Sequence, residues 1–167
     1  MRPTHTRMSP AHRCWFTLCP ARFPHLLAYI PEKRAAVMQR RPAWIRYLSK
    51  PKLCAAGEDW DAVRVSADVG VRAVRDLEAR GVPVGPVLHD RCNGQAYFLT
   101  APGTAQNWQQ DGTQALGSGS WVVLAPPGWD GLLKWVNDPT DGPAHTGTDD
   151  LAAALVAAVA TGEDTER

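Results

Sequence analysis

The chain has 167 residues, 44% hydrophobic and 21% charged, with a formal net charge of +1 at pH 7. Such a composition fits one ordinary globular domain with a tail, and its length is enough for a single core. It excludes a membrane-spanning helix, because the longest apolar run, Leu151 to Ala160, falls short of the about 20 residues a bilayer span requires.

The near-neutral total hides a split. Residues 1–57 hold eleven Lys/Arg against one acid, Glu32, whereas residues 58–167 hold seven against sixteen, so the two parts carry +10 and −9. A basic arm on an acidic body either binds a polyanion such as nucleic acid or folds back on that body. Four cysteines, Cys14, Cys19, Cys54 and Cys92, form no C-x-x-C pair. Pro20 and Pro24 interrupt the upstream apolar stretches, so no secretory signal is read and a cytoplasmic location is expected.

Residues 1–30 mix Pro, His, Arg and Thr without a period and read as a loose extension. Residues 31–57 read as a basic helical arm. Pro31 opens a helix over 32–40, Pro42 ends it, and a second turn places Trp44, Tyr47 and Leu48 on one docking face. From Glu58 the charge changes sign and an α+β domain is expected over 58–162, leaving 163–167 as a tail.

Within that domain, Trp60–Val65 is a strand candidate, and Asp68 is placed to cap the following helix. The helix carries Ala73, Val74 and Leu77 inward, pairs Arg72 with Asp76 outside, and stops at Gly81. Val84–Leu88 is the next strand. Between Gly94 and Pro139 the short apolar runs Ala96–Leu99, Trp121–Leu124 and Leu132–Val136 are bounded by turn formers and read as consecutive strands of one sheet. A last helix has Thr148 as cap, Asp149 and Asp150 in its first turn and Gly162 after its end. The order predicts a mostly antiparallel sheet with helices on one face.

Three segments carry a family resemblance: the strand–helix unit 60–80, Asn93-Gly94-Gln95-Ala96-Tyr97-Phe98, and the stretch Gly117 to Pro127 with its Val122-Val123-Leu124-Ala125-Pro126-Pro127. Together they resemble the bifunctional DNA primase/polymerase (Prim-Pol) domain of the archaeo-eukaryotic primase type, especially short actinobacterial relatives, over roughly residues 58–140. In that family a Gly-rich turn leads into a His-x-Tyr-Phe strand, and a Gly-Gly-Tyr-Val-Val-Ala-Pro-Pro segment precedes a strand similar to Lys134–Pro139. The resemblance implies a Prim-Pol-like fold and nucleotidyl transfer by acids that hold two divalent metals. Most of those acids are missing. The Asp-x-Asp position is Ser66-Ala67-Asp68, the strand histidine corresponds to Gln95, and Thr113-Gln114-Ala115 stand near the third acid, with Asp111 offset. A lone carboxylate cannot clamp two magnesium ions, so the resemblance implies a dismantled active site.

Other constellations offer less. Asp59-Trp60-Asp61 is a second Asp-x-Asp that precedes its apolar run, and it reads as charged residues at an exposed strand edge or as a sparse metal pair. His89 and Asp90 point to opposite faces of a regular strand, which favours a turn over a shared ion. His12, Cys14, Cys19 and His25 match no common zinc spacing. Gly117-Ser118-Gly119-Ser120 precedes a strand, contrary to a nucleophile elbow, and reads as a turn. Trp108, Trp121, Trp129 and Trp135 are expected in the core or at its rim.

The richest binding feature interleaves Arg34, Arg40, Arg41, Arg46, Lys50 and Lys52 with Trp44 and Tyr47. Cations there would neutralise phosphates and an exposed aromatic would stack on a base; alternatively the segment is an amphipathic cap with solvated charges. The sequence reading is a non-catalytic or weakly active Prim-Pol-like domain that binds nucleic acid through this segment. The alternatives are an active nucleotidyltransferase with Asp68, Asp90 and Asp111 as metal ligands, and a protein-interaction module. No cofactor is expected, and magnesium or manganese only for an active enzyme.

Overall fold

Residues 42–163 are described by a computed structural model. The loose extension, the helix over 32–40, the His12/Cys14/Cys19/His25 set and Arg34, Arg40 and Arg41 lie outside the described residues. A 3-10 helix, Ala43–Tyr47, precedes β1 (Lys52–Ala55), β2 (Asp61–Ser66), α1 (Ala67–Ala79), β3 (Val87–Asp90) and β4 (Gln95–Thr100). Then come α2 (Thr104–Asn107), β5 (Gln114–Leu116), β6 (Trp121–Leu124), β7 (Leu133–Asn137) and α3 (Thr148–Glu163).

The fold is α+β. Its main sheet has five antiparallel strands in the order β5-β2-β4-β3-β7, and β1 and β6 form a separate two-stranded antiparallel ribbon. The expectation of one sheet through Gly94–Pro139 is therefore corrected: Trp121–Leu124 leaves it and pairs with β1. Val122 and Leu124 face inward while Trp121 and Val123 face out. An all-apolar run conceals that one-sided pattern, because nothing polar marks the solvent face.

Strand alternation sorts the sheet into two cores. Val63, Val65, Val87, Ala96 and Phe98 meet Ala73, Val74 and Leu77 of α1 and Leu151, Ala154 and Leu155 of α3. Ala62, Leu88, Leu99 and Trp135 face the other way, against Trp60, Val122 and Leu124, with Trp44 and Leu48 packed beside them. Chain upstream of Glu58 thus belongs to the packing of the described body. Trp44 lies 6.4 Å from Trp60 and 6.5 Å from Trp135 between ring centroids. The Trp135 indole N–H is shared by the carbonyls of Ala125 and Pro126, each at 3.1 Å, which fixes the Ala-Pro-Pro segment to β7.

Local expectations for α1 and α3 need four corrections. Thr148 is the first residue of α3 and not its cap, and at that end Gly147 O accepts from Leu151 N–H at 2.9 Å. Ser66, not Asp68, occupies the N-cap position of α1, and Asp68 lies in its first turn. Arg72 does not pair with Asp76; its Nε donates to Ala158 O of α3 at 2.9 Å, and Asp76 pairs with Arg80 at 2.8 Å. The packing of α3 against α1 offers Arg72 a carbonyl, which is why it leaves its own helix. Gly162 lies inside α3, which runs on to Glu163. Gly81, with φ +68, ends α1 as expected: its N–H donates to Glu78 O at 2.9 Å and Val82 N–H to Leu77 O at 2.9 Å.

Gly70 marks the closest approach of α1 to the sheet, since a Cβ there would meet Ala96 Cβ at 2.5 Å. Gly70→Ala gains about 1 kcal/mol of helix propensity but overpacks this contact by about 1–3 kcal/mol. A net loss of stability is the expected result in urea denaturation; a more stable variant would refute the close approach.

Candidate functional site

The C-terminal end of β2 meets the N-terminal end of β4 where Ser66 and Gln95 are register partners. Pairing of Arg64 with Gln114 brings β5 to the same end of the sheet, and Asp90 of β3 pairs with Gln95 from the other side. Ala67 N–H donates to Gly94 O at 2.8 Å, tying the start of α1 to the β3–β4 hairpin. At this end of the sheet lies an open concavity of about 440 Å³ lined by Arg64, Ser66, Gln95, Thr113 and Gln114 among others.

Arg64 carries the charge of this lining, and its guanidinium donates to Gln114 Oε1. Thr113 Oγ1 accepts from Trp108 Nε1 at 2.7 Å and donates to Gln110 O at 2.6 Å, so its hydroxyl is committed to the local turn. A guanidinium among amides and a serine hydroxyl, with no carboxylate, suits an anion such as phosphate better than a metal ion. The three segments that the resemblance matched to catalytic positions therefore come together, but with Ser66, Gln95, Thr113 and Gln114 at the lining.

The candidate acids do not join them. Asp68, in the first turn of α1, and Asp111, ahead of β5, are exposed and do not line the concavity. Asp90 is 9% exposed and its carboxyl is turned into its own hairpin: Oδ1 accepts from Cys92 N–H at 3.0 Å and Asn93 N–H at 3.2 Å, and Oδ2 from Asn93 Nδ2 at 2.6 Å. His89 and Asp90 are the last two residues of β3, so the turn expected there begins only at Arg91, and these bonds give Asp90 a folding role. Among the described residues no three His, Cys, Asp or Glu side chains gather in a metal-holding group.

The edge reading of Asp59-Trp60-Asp61 is corrected. Trp60 and Asp61 are each 2% exposed, and β2 lies between β5 and β4, so only Asp59 faces solvent. Of the basic segment, Arg46, Tyr47, Lys50 and Lys52 are exposed, whereas Trp44 is half-buried in the second core. Ile45 is buried and Leu48 half-buried, and Tyr47 projects at 78% exposure instead of docking as expected. Trp121, expected in the core or at its rim, is 60% exposed; it stands on the outward face of the ribbon with Leu53 and Val123. Sequence reasoning missed it because its strand partner β1 was not recognised.

Cys54, in β1, has its thiol pKa pushed up by burial, with the Lys52 ammonium and a backbone bond from Leu124 pulling more weakly the other way. The folded state therefore holds this proton more firmly. Its stabilising contribution is full below the ordinary thiol pKa and is lost as pH rises through the raised one. Thiolate is the reactive form, so iodoacetamide should label exposed Cys92 before Cys54 near pH 8, read by peptide mass spectrometry. Faster labelling of Cys54 would contradict the buried setting.

Asp90→Ala strands three donors and should cost about 1–3 kcal/mol in thermal or urea denaturation, by the same amount with and without magnesium. A magnesium-dependent difference would instead mark Asp90 as a ligand. No described helix is long and apolar enough to cross a membrane. Compared with known proteins, the chain matches no family model, no curated protein and no solved structure.

Proposed function

We propose that the chain is a nucleic-acid-binding domain of Prim-Pol ancestry, non-catalytic or weakly active, that engages phosphates through its basic N-terminal segment. One observation carries this reading: residues 66, 95 and 113–114, far apart in sequence and each matched by resemblance to a catalytic position, line one concavity. They meet because β2 pairs with both β4 and β5, an arrangement that common descent would also require. Their replacement by hydroxyls and amides beside Arg64 supports loss of metal chemistry with retention of an anion-accepting surface. Exposure of Arg46, Lys50 and Lys52 beside Tyr47 supports backbone contact from the arm. A second reading, a protein-interaction module, draws support from Leu53, Val123 and Trp121, which leave an apolar stripe on the ribbon at 53%, 41% and 60% exposure.

The test is a salt-titrated anisotropy measurement of the full chain on single- and double-stranded DNA, with and without magnesium and nucleotide. The triple substitution Arg46→Ala, Lys50→Ala, Lys52→Ala should weaken single-strand binding and reduce the salt slope by about 2, at roughly 0.7 per phosphate contact. Absence of binding at low salt would discard the nucleic-acid reading and favour the protein-interaction one. Magnesium-dependent nucleotide incorporation that Asp68→Ala abolishes would replace it with an active nucleotidyltransferase.

A further inference from the structure

Asp61 opens β2 directly opposite Thr100 of β4, at the far end of the strand from Ser66 and roughly 16 Å away at 3.3 Å per residue. Its carboxyl is 98% removed from solvent at 2% exposure, and Oδ2 accepts from Ala105 N–H at 2.8 Å. The other oxygen, Oδ1, is buried with no hydrogen-bond partner. Asp61 also lines a cavity of about 340 Å³, whose other walls include Gln106, Gly117, Ser118 and Ser120. An acceptor-only oxygen held out of water without a donor is costly, and a donor supplied by a ligand would relieve that cost.

Glycines shape the walls. A Cβ on Gly117 would come 2.7 Å from Ala105 Cβ and 3.5 Å from Asp61 Oδ1, so only a glycine lets the turn pack this closely against Ala105 and Asp61. Gly57, at φ +102, lets the Gly117–Ser120 turn close against it, since a Cβ there would lie 2.5 Å from Ser118 Cα. The Gly-Ser-Gly-Ser stretch is a turn, as its sequence suggests, closed by Ser120 N–H on Gly117 O at 2.9 Å.

The lining selects the chemistry. It contains no Lys, Arg or His to receive an anion and no aromatic ring to stack on a base. With one carboxyl it is a poor magnesium site, and the bond from Ala105 N–H leaves Oδ1 as the oxygen without a donor. A compact ammonium needs one charged oxygen and a few neutral acceptors, which Asp61 Oδ1, the Ser118 and Ser120 hydroxyls and Gln106 can provide. The −9 balance of residues 58–167 favours cation approach. We propose that this cavity binds a small primary ammonium group, with Asp61 Oδ1 as its charge partner. The proposal is independent of the nucleic-acid reading.

The test is a titration of the ¹⁵N-labelled full chain with n-propylammonium chloride, followed in amide correlation spectra, against tetramethylammonium chloride and magnesium chloride at matched ionic strength. Saturable shifts of the Ala105 and Gly117 amides with propylammonium alone, weakened about tenfold in Asp61→Asn, are the expected result. Equal shifts from tetramethylammonium, which has no N–H donor, overturn the proposal, as do equal shifts from magnesium. No response to propylammonium also overturns it and leaves water as the partner of Oδ1. These wild-type comparisons decide the matter even if Asp61→Asn does not fold.

Discussion

Burial of β4 on both faces is the constraint from which the rest of the architecture follows. Phe98 and Leu99 are adjacent, point to opposite sides and are both fully removed from solvent. A strand in that position needs a cover on each side. The helices α1 and α3 supply one, and the β1–β6 ribbon with Trp44 and Leu48 supplies the other. Each fully buried Leu or Phe is worth about 1.5–3 kcal/mol, so neither cover is dispensable in a domain of ordinary marginal stability. The described part of the basic arm is therefore structural as well as charged: it packs Trp44 and Leu48 against the second core and leaves Arg46, Lys50 and Lys52 outside.

Fixing β2 beside β4 also fixes what lies at the two ends of β2. At one end the strand delivers Arg64 and Ser66 beside Gln95 and Gln114, a lining with a cation and neutral polar groups. At the other it delivers Asp61 into a cavity with no cation among its walls. Opposite charges at the two ends of one strand are a consequence of placement, since Arg64 and Asp61 sit in the same ladder. Single charged groups stand here on rigid elements, an arrangement in which hydrogen bonds already made decide what remains free. Asp90 has spent both oxygens on its hairpin, whereas Asp61 has spent one.

Several features were legible before any geometry. The inward triad Ala73, Val74 and Leu77, the stop at Gly81 and the acidic start of α3 follow from helical period and capping chemistry, which act within one or two turns. The strands β2, β4 and β7 announce themselves by branched and aromatic residues between turn formers, whereas β3, expected over Val84–Leu88, lies at Val87–Asp90. The strands β1 and β5, with Lys52 and Gln114 among their few residues, do not announce themselves, because their stability comes from the partner strand rather than from their own side chains.

By itself the sequence determined the α+β class, the antiparallel character of the sheet and the polarity of its helices, because local propensity and periodicity are written residue by residue. Only the tertiary structure decided which strands pair, and so moved Trp121–Leu124 out of the main sheet, turned Arg72 from Asp76 to Ala158 and brought Ser66, Gln95 and Gln114 to one place. It alone decided that Asp61, one of two similar acids flanking Trp60, is buried with an unpaired oxygen while Asp59 faces water. Burial and pairing depend on residues distant along the chain, and spacing along a single sequence does not encode that distance directly.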